Sequence, residues 1–429
     1  MRYRWLVCLL LFLATTINYV DRQILALVKP ILDDQLGWTN AEYGRVNAAF
    51  QGAYALGLLF FGFFVDRVGT KIGYALSIAG WSLSAIAHSL VGGVGGFLRA
   101  RVALGFSEGG NFPSAVKAVA VWFPRRERAF ATALFNSGAN VGAVVAPAVV
   151  PFIALTWDWR AAFVAAGCAG LLWLVLWLPL YDGPEKAGRL TADDLARIRD
   201  DEQTADAGAP IGWRALLRQR RAWSFIAGKA LTDPVWWFFL IWLPDFFKKT
   251  RHLDIKGSRV YLVSIYGIVT VLSIAGGWLA GALVRRGLTP TRARKVTMLV
   301  CALAVVPIIA VTHVGTWTAV VLIGVAGSAH QAWSANLFTT VSDMFPKRAV
   351  ATLVGVGGMA GSITGIAFPI VVGTLLDRFQ AAGNVTAGYA ILFLVCGLAY
   401  LLAFAVGQLL APSFEPAPIG GGPVGHKRG

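Results

Sequence analysis

The stretch Asn18–Gln23, NYVDRQ, sets Asp21 and Arg22 inside an apolar run, between WLVCLLLFLATTI and ILALV. Farther on, Arg101 and Glu108 stand in RVALGFSEGGNFP. Adjacent residues on a helix point about 100° apart, so Asp21 and Arg22 do not share one simple bridge; Arg22 is expected to face a cavity and Asp21 a neighbouring helix. Arg101 and Glu108 lie nearly two turns apart, on one face and about 10 Å from each other. An unpaired carboxylate at mid-membrane costs several kcal/mol, so Glu108 is expected to be protonated, paired or open to a water-filled cavity. Desolvation favours its neutral form and a nearby guanidinium its charged form. A group held between the two gains and loses a proton near neutral pH. A guanidinium fork suits a carboxylate bidentately.

Other polar residues interrupt apolar sequence. Asn136 and Asn140, in FNSGANVG, lie one turn apart on what reads as a glycine-lined face; they either bind a polar ligand or bridge helices. In GKALTDPVWW, Lys229 and Asp233 are spaced to pair on one helix face, and Pro234 frees backbone groups there. Trp236 and Trp237 either stack on a ligand or anchor at an interface. His330, Gln331, Trp333 and Asn336 form a polar-aromatic set, with His330 either titrating or bonded neutrally to a neighbouring helix. The five histidines are scattered and the four cysteines fall in apolar spans without metal-ligand spacing, so no metal, cofactor or catalytic cluster is expected. That counts against the rival of a multi-span membrane enzyme.

The elements that carry these residues follow from composition. Of 429 residues, 57% are hydrophobic and 14% charged, with mean hydropathy +0.64, whereas soluble chains carry about a quarter charged residues. Apolar spans fall near 5–28, 43–65, 72–92, 97–121, 129–154 and 160–181, then 222–247, 259–284, 295–313, 317–341, 350–374 and 388–411, each able to cross a bilayer. The expected fold is an all-α integral membrane protein of twelve transmembrane helices in two six-helix halves. It divides into an N-terminal bundle (1–181), a cytoplasmic linker (182–221), a C-terminal bundle (222–411) and a tail (412–429). In the linker, TADDLARIRDDEQ from Thr191 reads as a capped surface helix.

WFPRRERAFATALFNSGANVGAVVAPAVV (122–150) aligns without gaps to MFPKRAVATLVGVGGMAGSITGIAFPIVV (344–372), at the constant offset of 222 that sets Trp122 on Met344 and Pro147 on Pro369. The offset pairs Ser362 with Asn140 and His330 with Glu108. Repeated halves place substrate near the midplane between them. The net charge of +16 concentrates in alternate loops, which argues for a membrane rather than nucleic acid and puts both termini in the cytoplasm. KKTRHLDIKGSR (248–259) breaks that pattern, being basic in a loop that should face outward. Arg2 and Arg4 before the first run imitate a signal peptide, but no cleavage site follows and the run is read as a retained span. Asn384-Val-Thr386 is read as a chance glycosylation match.

After the second span comes GFFVDRVGTK, with Gly62, Asp66, Arg67 and Lys71. The glycine is expected to allow close helix approach and the charges to form a latch between helix ends, unless they are only a solvated basic loop. GALVRRG (281–287) is its degenerate counterpart. This G-x-x-x-D-R-x-G-x-K pattern resembles the signature loop of the major facilitator superfamily. VWFPRRERA, with the glycine-rich span ending in Ala146-Pro147, resembles its anion:cation symporter branch, and AHQAWSANLFTTVSDMFPKRAVATLVGVGGMAG (329–361) resembles bacterial hexuronate transporters.

The resemblance implies pseudo-two-fold symmetry, alternating access and an inner-membrane monomer that needs no cofactor. It further implies proton-coupling roles for Asp21 and Glu108 and anion-holding roles for Arg22 and Arg101. It matches Tyr54 to a substrate-contacting tyrosine, although a tyrosine there is also ordinary core. Where such carriers can have glutamine, this chain has Ala139. The implied function is proton symport of a sugar acid such as glucuronate or galacturonate, with an aldonate or other organic-anion symporter or exchanger as the alternative.

Overall fold

The computed structural model describes residues 2–123, 125–183, 213–345 and 347–415, and within them every regular element is a helix. The first half holds α1 (Arg2–Leu36), α2 (Asn40–Val68), α3 (Thr70–His88), α4 (Val94–Glu108), α5 (Asn111–Trp122), α6 (Arg125–Thr156) and α7 (Trp159–Leu180). After the short α8 (Trp213–Leu217) come α9 (Arg220–Arg251), α10 (Ile255–Arg285), α11 (Pro290–Val305) with the 3-10 turn Val306–Ala310, α12 (Thr316–Met344), α13 (Lys347–Ala381) and α14 (Val385–Leu410). Counting α4 and α5 as one broken span, these are twelve spans in two sets of six. Among the described residues, eight helices are long and apolar enough to cross a membrane by length and composition. Leu59 and Leu172, more than two-thirds exposed, belong to an outer surface suited to lipid. The surface helix expected after Thr191, the tail beyond Glu415 and the Asp66 side chain lie outside the described residues.

Local chemistry sets the boundaries. Thr39 and Glu42 form a capping box that starts α2, while Asp254 and Thr289 cap α10 and α11. Asn384, the candidate glycosylation residue, accepts from the Ala387 amide and caps α14. His252, at φ 53°, stops α9 in the left-handed region. The internal repeat has a backbone counterpart. α5 ends at Trp122 with Phe123 extended (φ −120°), and α12 ends at Met344 with Phe345 extended (φ −126°). Each phenylalanine precedes a proline, which excludes the helical region.

We call the face where α1 and α9 begin the near face, and the face where they end the far face. The halves meet in the far part of the molecule. There Ile24–Leu32 of α1 and Ala143–Ala154 of α6 share one apolar core with Val235–Phe247 of α9 and Leu262–Val269 of α10. A second core, built from α1 to α7, lies within the first half. A Cβ on Gly44 would stand 2.3 Å from the Pro369 carbonyl oxygen, and one on Gly373 equally close to that of Asn40, so α2 and α13 touch backbone to backbone.

Candidate substrate and proton site

Arg22 and Glu108 form the centre. Arg22 Nε donates to Glu108 Oε2 at 2.6 Å, with the side chains 7% and 0% exposed. Glu108 is the last residue of α4 because the span breaks at Gly109–Gly110. The break lets α4 seat against α2, since a Cβ on Gly109 would fall 2.5 Å from the Gly57 carbonyl carbon. Reading Glu108 as an ordinary mid-helix residue missed this; the pair Gly109-Gly110 ahead of Pro113 was the available signal. The Arg22 guanidinium is ringed by Tyr54 at 4.3 Å, Tyr19 at 5.2 Å, Phe50 at 5.6 Å and, from the second half, Trp237 at 5.9 Å. Desolvated cation–π contacts of this kind are worth up to about 2 kcal/mol each.

Asp21 and Arg101 lie behind this pair, each 1% exposed. Both Asp21 oxygens, Arg101 Nε and Nη2, Glu108 Oε1 and both polar atoms of the Asn18 amide are buried without a hydrogen-bond partner among the described residues. The Arg101 guanidinium also lies over Phe50, 5.5 Å from that ring. Arg101 and Glu108, expected on one face, are therefore not bonded to each other: Arg22 of α1 takes the carboxylate instead.

The second half contributes Lys229 and Asp233, bonded at 2.8 Å, and Trp237 one turn on. Other candidates are placed elsewhere. Trp236 stacks on His330 at 5.3 Å, and the His330 ring bonds the Tyr400 hydroxyl at 2.6 Å through Nδ1. Trp333 is fully buried and packs edge-on to Tyr400. All three are thus turned into the second half, toward α14. Asn336 donates to the Ala332 carbonyl and lines a cavity of about 550 Å³ with Arg285 and Arg294, between α10, α11 and α12. Gln331 is half-buried, and Ser362 donates to the Gly358 carbonyl at 3.0 Å. Asn136 and Asn140 lie one turn apart, but Gly138 and Gly142 pack on α1 from the opposite face of α6, so the amides are not on the glycine face. Gly62 has open space around it, so the close approach expected there occurs at Gly57 instead. Arg67 stacks on Phe63 of its own helix, and Lys71 bonds Asp182 at 2.8 Å within the first half.

Sequence reasoning missed the far-face network. Lys29, 1% exposed, bonds Asp245 at 2.6 Å across the halves and Asp33 at 2.8 Å within α1. The Tyr389 hydroxyl donates to Asp245 Oδ2 at 2.5 Å, and Lys249 bonds both Asp245 and Asn40. Asp377 accepts from the Asn40 and Ala41 amides, and Lys248 bonds Asp34. The basic segment that broke the loop pattern is thus explained in part: Lys248 and Lys249 end α9, and their charges are answered by acids of both halves.

Two helical halves, closed against each other at one face around a buried ionic centre, are the architecture of a membrane transporter. The profile of the Major Facilitator Superfamily matches residues 11–369, and the chain belongs to that family; it is a transporter, not an enzyme. It is 30% identical to the hexuronate transporter of Escherichia coli K12 over 93% of this chain and 92% of the relative. It is 27% identical to the D-galactonate transporter of Escherichia coli O6:H1, over 89% and 91%. The probable galactarate/D-glucarate transporter GarP of Escherichia coli K12 is 28% identical, over 95% of each chain. Among solved structures, a bacterial homologue of the lysosomal transporter Spinster, inward-facing and unoccupied, superposes with TM-score 0.75 at 18% identity, covering 96% of this chain and 98% of that one. The xylose transporter XylE from E. coli, inward open, gives 0.74 at 14%, covering 95% and 96%.

Proposed function

We propose that the protein is a proton-coupled symporter importing a sugar acid, with a hexuronate as the first candidate and an aldonate as the alternative. The observation that carries this reading is the buried Arg22–Glu108 pair. Both substrate and proton act on it. A proton on Glu108 frees Arg22 Nε, and the guanidinium then pairs with the substrate carboxylate beneath Tyr54 and Trp237. Deprotonation restores the internal pair and expels the anion. Asp21 and Arg101 act as a second acid–base couple behind the first.

Charge balance supports one proton per monoanion. The site holds three acids (Asp21, Glu108, Asp233) and three bases (Arg22, Arg101, Lys229). A buried site pays heavily for uncompensated charge. A monocarboxylate that enters with one proton leaves the sum unchanged. The relatives' named cargoes are all sugar acids, which supports the substrate class.

The near face is cytoplasmic on the positive-inside pattern, so the closed far face makes this an inward-facing state. Return to the outward state requires breaking the Lys29–Asp245 network and closing the near ends, where Gly62, Asp66, Arg67 and Lys71 would latch.

The test is uptake of labelled glucuronate, galacturonate and gluconate into proteoliposomes, with and without an inward proton gradient, comparing wild type with Glu108→Gln. Gradient-driven accumulation by the wild type alone, with counterflow retained in the variant, is the expected result. Accumulation indifferent to the gradient, or intact in Glu108→Gln, overturns the coupling role.

A further inference from the structure

Lys229, Asp233 and Trp237 recur every four residues and so form one stripe along α9. Trp237 is the member that reaches Arg22, at 5.9 Å across the halves. Along the helix axis Asp233 lies about 6 Å from Trp237 toward the near face, and Lys229 about 12 Å. The Asp233 carboxylate is seated on bare backbone, since a Cβ on Gly361 would lie 2.2 Å from Oδ2. Lys229 is held over the Phe338 ring at 4.8 Å. The two side chains remain 11% and 17% exposed, so the pair is fixed in place yet accessible.

A six-carbon acid measures about 6 Å between its end carbons. Trp237 is the contact to Arg22 and Asp233 lies one turn farther along the stripe, so the pair stands within about one molecular length of the Trp237 contact. We propose that the Lys229–Asp233 pair reads this distal end and selects monoacids over diacids, which rests on the sugar-acid reading given above. A distal hydroxyl donates to Asp233 and accepts from Lys229, leaving the ion pair whole. A distal carboxylate meets Asp233 as a like charge and lacks the second compensating proton, so it is refused. Among the cargoes named for the relatives, the pair favours hexuronate- and aldonate-type acids over aldarates.

The experiment measures inhibition of labelled gluconate or glucuronate uptake by unlabelled gluconate and by unlabelled glucarate. The wild type should prefer gluconate at least tenfold. Asp233→Asn, which removes the like charge and leaves Lys229 free, should narrow that ratio tenfold or more. Gly361→Ala, whose methyl displaces the Asp233 carboxylate, should shift the ratio in the same direction. Ligand-induced thermal stabilisation of the detergent-purified variants gives the same comparison without transport. Equal inhibition by both acids in the wild type, or an unchanged ratio in both variants, overturns the proposal while leaving sugar-acid transport standing. Failure of the wild type to take up any sugar acid overturns the parent reading and this one together.

Discussion

Arg22 is bonded to Glu108, 86 residues away, and not to the Asp21 beside it. The bond ties α1 to the broken end of α4, and it leaves Asp21 and Arg101 buried without sharing in it. Each half of this arrangement has a consequence that can be measured.

Arg22→Lys keeps the charge and loses the planar fork that is stacked among four rings. A hydrogen bond to a charged group contributes about 1.5–3 kcal/mol. Apparent affinity for the sugar acid should therefore fall roughly tenfold or more, at 1.4 kcal/mol per decade. Competition by unlabelled substrate measures it. Wild-type affinity in Arg22→Lys would remove the anion from this residue.

Asp21 and Arg101 call for a double-mutant cycle. Neither the Asp21 oxygens nor Arg101 Nε and Nη2 have a hydrogen-bond partner among the described residues, so Arg101→Met alone, which leaves the buried Asp21 carboxylate without a compensating cation, should lower the melting temperature. Asp21→Asn on the same background should recover most of the lost thermal stability while transport remains uncoupled from the proton gradient. Additive losses in the melting temperature would mean that the two do not interact.

At the far face, Lys29→Met leaves Asp245 without its closest cation, and Asp245→Asn leaves Lys29 with Asp33 alone as its acid. Either should weaken far-face closure and shift the population toward the outward state. A cysteine at Gln51, in a Cys168→Ser background, reports this through impermeant maleimide applied from outside. Labelling should speed up at least tenfold in either variant, and in Gly44→Val, whose side chain cannot fit against Pro369. Unchanged labelling in all three would show that the network does not hold the gate.

Much of this was legible in the sequence because it depends on local properties. Hydropathy fixes which segments cross the bilayer, and an acid inside a span announces a site because the membrane penalises it wherever it sits. The repeat carried the halves, since Phe123 and Phe345 end their helices through the same proline effect. Tyr54 and Trp237 stand out in the sequence as candidates, but spacing does not tell Trp236 and Trp237 apart. Adjacent residues point apart by about 100°, and which one meets Arg22 depends on how α9 is rotated.

The sequence by itself determined the spans, the two-fold plan and the buried charges, all of which follow from what water and lipid do to a single stretch of chain. Only the tertiary structure decided the partners. Arg22 found Glu108 because glycines at 57 and 109 let α2 and α4 close together, and Lys29 found Asp245 because Gly44 and Gly373 bring α2 and α13 into backbone contact. His330 turned to Tyr400 and Trp236, inside the second half. Those pairings depend on helix rotation and on distances between segments far apart in the chain, which no spacing along it records.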